Sequence, residues 1–177
     1  MSEDDSEFEL PARSIDGGLD RVPLPIEGAA LWLCGKRVVA PDPMAALRRA
    51  DDADAIVCFN EPADLVREYP EYLDWLAVNQ GQRALWFPIP DLHAPELTDA
   101  DAMVRAMVER LERGEGLVLH CAGGLGRAPT MAVCVLIDLG LEGDAARRHV
   151  RTHRPMGGPE AGAQDRLVQA FADRRQH

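Results

Sequence analysis

The segment that most constrains this chain is residues 120–130, His-Cys-Ala-Gly-Gly-Leu-Gly-Arg-Ala-Pro-Thr. A short strand signal, Leu117–His120, runs directly into it, and a stretch from Pro129 to Leu139 that is apolar almost throughout follows. A strand and a helix of that character have no polar side to show to water, so both belong inside a layered domain. The proline falls in the first helical turn, where its missing N–H is no loss. Between strand and helix, three glycines and no charge separate Cys121 from Arg127.

The flanking pattern supplies the layers. Ala29–Leu33 and Val38–Ala40, separated by a Gly-Lys turn, read as a hairpin. A short helix follows Pro41-Asp42-Pro43 to about Arg49, and Asp54–Phe59 is a buried strand by its continuous apolar character. A helix around Tyr69–Asn79 and a strand over Ala84–Phe87 come next. Thr98, with Asp101 three positions on, predicts a capping box opening a helix. On that helix Met103, Met107 and Leu111, with Val104 and Val108, line one core-facing side. Further helices fit Glu142–Thr152 and Pro159–Arg174. Strands alternating with helices predict an α/β fold, a central mostly parallel sheet flanked by helices on both faces, with an N-terminal hairpin. The 120–127 loop then lies at the carboxyl end of a central strand, where such sheets bind ligands.

At 177 residues, with 46% apolar and 28% charged residues, the chain has the length and composition of one soluble domain. Residues 1–13 read as an acidic disordered tail, leaving residues 14–177 as the domain. No apolar run reaches membrane-spanning length, the acidic N-terminus is not a secretory signal, and the C-terminus lacks a prenylation cysteine. A cytoplasmic protein without a membrane anchor is expected. The net charge of −11 argues against nucleic acid as a partner. Four cysteines show neither paired nor zinc-site spacing, so no metal is expected, nor any other cofactor. Cys34, Cys58 and Cys134 sit in apolar runs as small buried side chains, whereas Cys121 has glycines around it. Neither composition nor motif fixes an oligomeric state.

The 121–127 loop suits a tetrahedral dianion. Ala122, Gly123, Gly124, Leu125 and Gly126 can turn successive N–H groups inward, with the glycines taking conformations closed to other residues. The helix beginning near Arg127 adds its free N–H groups and positive end. The Arg127 fork can hold two phosphate oxygens, and the same field favours the thiolate of Cys121 as a nucleophile toward phosphorus. The loop is neither a Walker A loop nor a dinucleotide fingerprint.

This run resembles the Cys-x5-Arg signature of the cysteine-dependent tyrosine and dual-specificity phosphatases, in particular the small atypical dual-specificity class. Its Gly-Leu-Gly-Arg-Ala-Pro looks closest to the loop of the phosphatase of regenerating liver. The resemblance implies a phosphatase-like fold, Cys121 as nucleophile and Arg127 as the phosphoryl grip. It also implies a general acid on a loop about thirty residues earlier, a place that Asp91 takes in Phe87-Pro-Ile-Pro-Asp91. His120 would tune the loop rather than serve as a base. Gln164 either helps to place the hydrolytic water or caps the last helix. Cys58 resembles the position that forms a reversible disulfide with the nucleophile. His93 is a surface loop histidine near the site.

Two departures qualify the resemblance. Ala128 stands where the family carries a serine or threonine whose hydroxyl stabilises the departing thiolate, so hydrolysis of a phosphocysteine should be slow. Thr130 faces elsewhere on the helix. The loop also lacks the lysines typical of phosphoinositide phosphatases, which places phosphotyrosine, with phosphoserine or phosphothreonine, ahead of inositol lipids. The expected partner is a phosphorylated protein or another phosphate monoester. A catalytically weak phosphate-binding module is the alternative, against which Asp91 argues because binding alone needs no proton donor. Sulfur-transfer and arsenate-reducing enzymes fit the long upstream region less well.

Overall fold

The computed structural model describes residues 12–176. In chain order the elements are α1 (Ala12–Asp16), β1 (Asp20–Val22), β2 (Ala30–Gly35), α2 (Lys36–Val39), α3 (Pro43–Arg49), β3 (Ala55–Cys58), α4 (Pro62–Leu65), α5 (Pro70–Asn79), β4 (Ala84–Trp86), α6 (Leu97–Glu112), β5 (Gly116–Cys121), α7 (Arg127–Asp138), α8 (Gly143–His153) and α9 (Gly162–Arg174). The sheet order is β1-β2-β5-β3-β4, with β1 antiparallel to β2 and the other pairs parallel. The strand that feeds Cys121 therefore lies in the middle.

Pleat alternation divides the core in two. Leu31, Leu33, Ala55, Val57, Leu117 and Leu119 face one side, packed against α6 to α9. Trp32, Cys34, Ile56, Cys58 and Val118 face the other, against α2, α3, α5 and Leu65 of α4. In α7 every residue from Arg127 to Ile137 is buried. Each of Val133, Val135, Leu136 and Ile137 contributes about 1.5–3 kcal/mol by leaving water. The apolar run from Pro129 thus buries the whole circumference of the helix that starts at the loop.

Three expectations are corrected. The N-terminal hairpin exists, but its strands are Asp20–Val22 and Ala30–Gly35, paired with Asp20 opposite Leu33. Val38–Ala40 does not form a strand. The Lys36 amide bonds the Ala122 carbonyl (2.9 Å), the chain turns there, and Val38 and Val39 are buried from a single helical turn. The capping box at Thr98 does not form, because α6 starts one residue earlier, with Glu96 as N-cap and no side-chain cap. Asp101 is instead taken by Arg105 (3.0 Å) and Arg174 (2.8 Å). The last helix starts at Gly162 rather than Pro159, since Ala161 is extended and the Gln164 side chain accepts the Glu160 amide (2.7 Å). Most of the tail expected over residues 1–13 lies outside the described residues, and α1 begins at Ala12.

Candidate active site

The carboxyl ends of β2, β3 and β5 meet at Gly35, Cys58 and Cys121, and the β5–α7 loop closes over them. Four consecutive loop carbonyls are tied outward. Ala122 O accepts from Lys36 N (2.9 Å) and Leu125 O from Gly158 N (3.0 Å). The buried Arg154 donates to Gly123 O (2.9 Å) and Gly124 O (3.1 Å). The amides of residues 123–126 donate to no acceptor among the described residues. Carbonyls drawn back and amides left free make an anion nest. Gly124 has φ +72°, and a Cβ there would come within 2.3 Å of the Cys34 carbonyl oxygen, so only glycine lets the loop lie this close to β2.

Arg154 also reaches beyond the loop. Its guanidinium donates to Gly17 O and Gly18 O (3.0 Å each) and pairs with Asp20 (2.8 Å). The nest is thereby joined to the segment leading into β1.

Cys121 is buried, and its Sγ accepts the Ala128 amide at 3.5 Å. That amide is one of the unpaired donors of the first turn of α7, where Pro129 supplies none. The Ala128 side chain is itself wholly buried. Thr130 points away from the sulfur and donates to Gln164 Oε1 (3.5 Å).

The Arg127 guanidinium is 2% exposed and is held from one side. Nη1 donates to Asp64 Oδ2 and to Ile89 O, both at 2.8 Å. Nη2 lies 3.7 Å from Asp91 Oδ1, while the buried Nε has no partner among the described residues. Burial opposes the charge of Arg127, but the Asp64 hydrogen bond and the neighbouring charges win and strengthen its hold on the proton. Burial likewise pushes the Asp64 carboxyl up, and the Arg127, Glu61 and Asn60 hydrogen bonds more than offset it, leaving Asp64 below the ordinary carboxylate range.

Asp91 is 66% exposed and stands in the loop after β4. Ile89 N bonds Phe59 O (3.0 Å), which together with the Arg127 contact anchors the start of that loop. Beyond Asp91, Leu92 has φ +62°, a left-handed residue that re-aims the chain. His93 is exposed, and its Nδ1 lies 2.7 Å from Asp91 O. Gln164 ties this loop to the last helix by donating to His93 O (3.3 Å).

His120 is fully buried on the opposite face from Cys121. Burial lowers its pKa to about 4, so it is neutral. With Nδ1 against the Cys121 carbonyl (3.2 Å), Nε2 accepts from the Tyr72 hydroxyl at 2.6 Å. Cys58 sits opposite His120 in the ladder and shares its face, and burial pushes its thiol up to about 12. Cys58 and Cys121 therefore project to opposite faces of the sheet, and all four cysteines are free thiols. A Cys58–Cys121 disulfide requires backbone movement from this arrangement.

A cavity of about 170 Å³ is lined by Asp91, Cys121, Ala122, Gly123, Leu125, Gly126, Arg127 and Glu160. It brings together Cys121, Arg127, Asp91 and, of the loop residues 122–126 singled out in the sequence, all but Gly124. A larger concavity of about 640 Å³ lies at the amino ends of β3, β4 and β5, lined by Asp54, Arg83 and Glu115 among others, and contains no nucleophile. Sequence reasoning missed Asp64, Tyr72, Arg154 and Glu160. Asp64 had a readable signal, standing just after a strand ending at the same edge of the sheet. Arg154, within an arginine-rich helix end, had none.

Residues 39–174 match the model described as PTP-SAK, Swiss Army Knife protein, DSP-PTPase phosphatase domain. Among solved structures, Tk-PTP in its active form is 28% identical, with 82% of this chain and 92% of that chain covered and a TM-score of 0.62. Kinase associated phosphatase, with its catalytic-site cysteine replaced by serine, is 19% identical, covering 89% and 94% at a TM-score of 0.69. Human tyrosine phosphatase-like serine/threonine/tyrosine-interacting protein has the same fold at 13% identity, with 90% and 98% covered and a TM-score of 0.67. No helix among the described residues is long and apolar enough to cross a membrane.

Proposed function

The chain belongs to the DSP-PTPase phosphatase domains of the Swiss Army Knife proteins, and from that membership we propose that it hydrolyses phosphate monoesters, phosphotyrosine in proteins foremost, through a phosphocysteine. The observation that carries this reading is the set of unused donors around one sulfur. Among the described residues the amides of residues 123–126 and Arg127 Nε lack acceptors, and Arg127 and Cys121 line one cavity. Three equatorial phosphoryl oxygens supply the acceptors these donors need.

In the first step the Cys121 thiolate attacks phosphorus in line, a P–S bond forms and the bond to the leaving oxygen breaks. Asp91 gives that oxygen its proton. In the second step water attacks phosphorus, Asp91 takes a proton from it, and sulfur departs as the thiolate. The Ala128 amide stabilises that sulfur, but Ala128 offers no hydroxyl, so the second step is the slow one. Gln164 serves first to pin Glu160 ahead of α9 and to hold the acid loop, with one amide hydrogen left for a water. His120, kept neutral, braces the loop from below and moves no proton. Residues 14–177 act as the catalytic unit.

The second reading is a phosphate-capturing module with little turnover. Ala128, which offers no hydroxyl to the departing sulfur, favours it. The test is turnover of p-nitrophenyl phosphate and a phosphotyrosine peptide by the unmodified chain, C121S and D91A. Turnover, or a stoichiometric burst abolished by C121S, supports the enzyme. Binding of the peptide without turnover or burst establishes the module.

A further inference from the structure

Glu160 is, with Asp91, one of the two carboxylic residues that line the cavity, and the first reaction step has no use for it. Its place is well defined. A Cβ on Gly126 would meet Glu160 Oε2 at 2.6 Å, so the carboxylate lies directly over the backbone at the start of α7. Its own amide is pinned by Gln164. The residue is exposed and joins no ion pair among the described residues. Arg151 Nη2 and Arg166 Nη1 flank the same segment, 3.6 Å from a Cβ built on Gly158 and 3.1 Å from one on Gly162, but neither lines the cavity. Among the described residues Arg127 is the one cation in the lining and is already engaged by Asp64, Arg154 beneath the loop is paired with Asp20, and Lys36 is paired with Glu68.

The mouth of the cavity therefore presents the Glu160 carboxylate beside the Asp91 carboxyl, around a floor built for a dianion. The floor attracts the phosphoryl group at short range through amides and Arg127. The rim acts on whatever lies one residue further out, where acidic groups meet like charge and basic groups find the Glu160 carboxylate. We propose that Glu160 is a specificity-determining residue that selects phosphopeptides carrying lysine or arginine beside the phosphorylated residue. The proposal rests on the phosphatase reading and names the substrate class of that same site. Selection of this kind separates substrates by repulsion as much as by attraction.

The experiment compares two phosphotyrosine peptides of equal length, one flanked by lysine and one by glutamate, at low and high salt. An exposed charge pair at the rim gives a preference of roughly three- to tenfold in kcat/KM for the basic peptide, shrinking as the Debye length falls from about 10 Å at 0.1 M towards 3 Å at 1 M. E160Q reduces the ratio, E160R inverts it and E160D retains it. A ratio near one in the unmodified chain, or one that E160Q and E160R leave unchanged, overturns the proposal. p-Nitrophenyl phosphate, which has no flanking charge, reports the phosphatase reading separately. If it is not turned over, the binding of both peptides to the unmodified and E160R chains, followed by fluorescence anisotropy, still gives the charge preference, and its absence there is equally fatal.

Discussion

Removing the Asp64 carboxylate tests how Arg127 is aimed. In the structure Nη1 is shared between Asp64 Oδ2 and Ile89 O at 2.8 Å each, with the guanidinium 2% and the Asp64 side chain 25% exposed. D64A deletes one charge-assisted bond to a buried cation, worth about 1.5–3 kcal/mol. If about 2 kcal/mol of that is orientation felt in the transition state, kcat/KM falls roughly thirtyfold, at 1.36 kcal/mol per decade. D64N keeps an acceptor of the same shape without the charge and falls about fivefold, on a difference of about 1 kcal/mol. Both numbers come from steady-state p-nitrophenyl phosphate hydrolysis at pH 6–7. A second readout is urea unfolding against pH. The folded Asp64 carboxyl is depressed, so the pair's contribution is complete above the unfolded carboxylate value and is lost as pH falls through the folded one. The stability gap between the unmodified chain and D64N is therefore constant from about pH 5 upward and closes below about pH 4. Activity of D64A within twofold of the unmodified chain, or above it, refutes the reasoning, because it would mean that Asp64 only competes with phosphate for Arg127.

The same site yields three further expectations. His120 has its pKa lowered to about 4 by burial, so the unfolded chain takes up a proton there from about pH 6.5 downward while the folded chain does not. Stability falls by about 2 kcal/mol between pH 7.5 and pH 5 from this residue, H120Q flattens that part of the curve, and an identical slope in H120Q is the refuting result. A128S supplies the missing hydroxyl beside the sulfur. Stopped-flow hydrolysis is expected to show a faster second step, about tenfold to a hundredfold for a bond worth about 1.5–3 kcal/mol, with an unchanged or slower rate counting against the slow-step account. Peptide mapping after peroxide is expected to find Cys121 oxidised without a Cys58–Cys121 link, because the two side chains leave the sheet on opposite faces. A high yield of that link would show that the strand ends rearrange readily.

How far the sequence could be read differed from element to element. The strand into Cys121 and the buried helix after it were legible because each rests on an apolar run along the chain, whereas Asp91, in the loop after β4, was singled out only through the resemblance. The β1 strand was not, since Asp-Arg-Val has no apolar alternation and pairs only because Ala30–Gly35 offers an edge. Val38–Ala40 misled for the converse reason. Its apolar residues are buried from a helical turn, and burial does not distinguish the two periods over so short a run. Asp64, Arg154 and Glu160 reach the site from 57, 33 and 39 residues away from Cys121, through topology and side-chain length that no window of sequence displays.

Arg154 carries a practical warning about where this unit can be cut. The segment that matches the family model, residues 39–174, omits β1, β2 and the Gly17–Asp20 stretch. Yet Gly17, Gly18 and Asp20 hold the guanidinium that draws two of the loop's carbonyls away from the cavity, and β2 forms one wall of the central strand. A truncation drawn at the edge of the recognisable homology would leave every chemistry-bearing residue in the tube and still lose the scaffold that sets their orientation. For expression work, the unit to keep intact starts before Gly17.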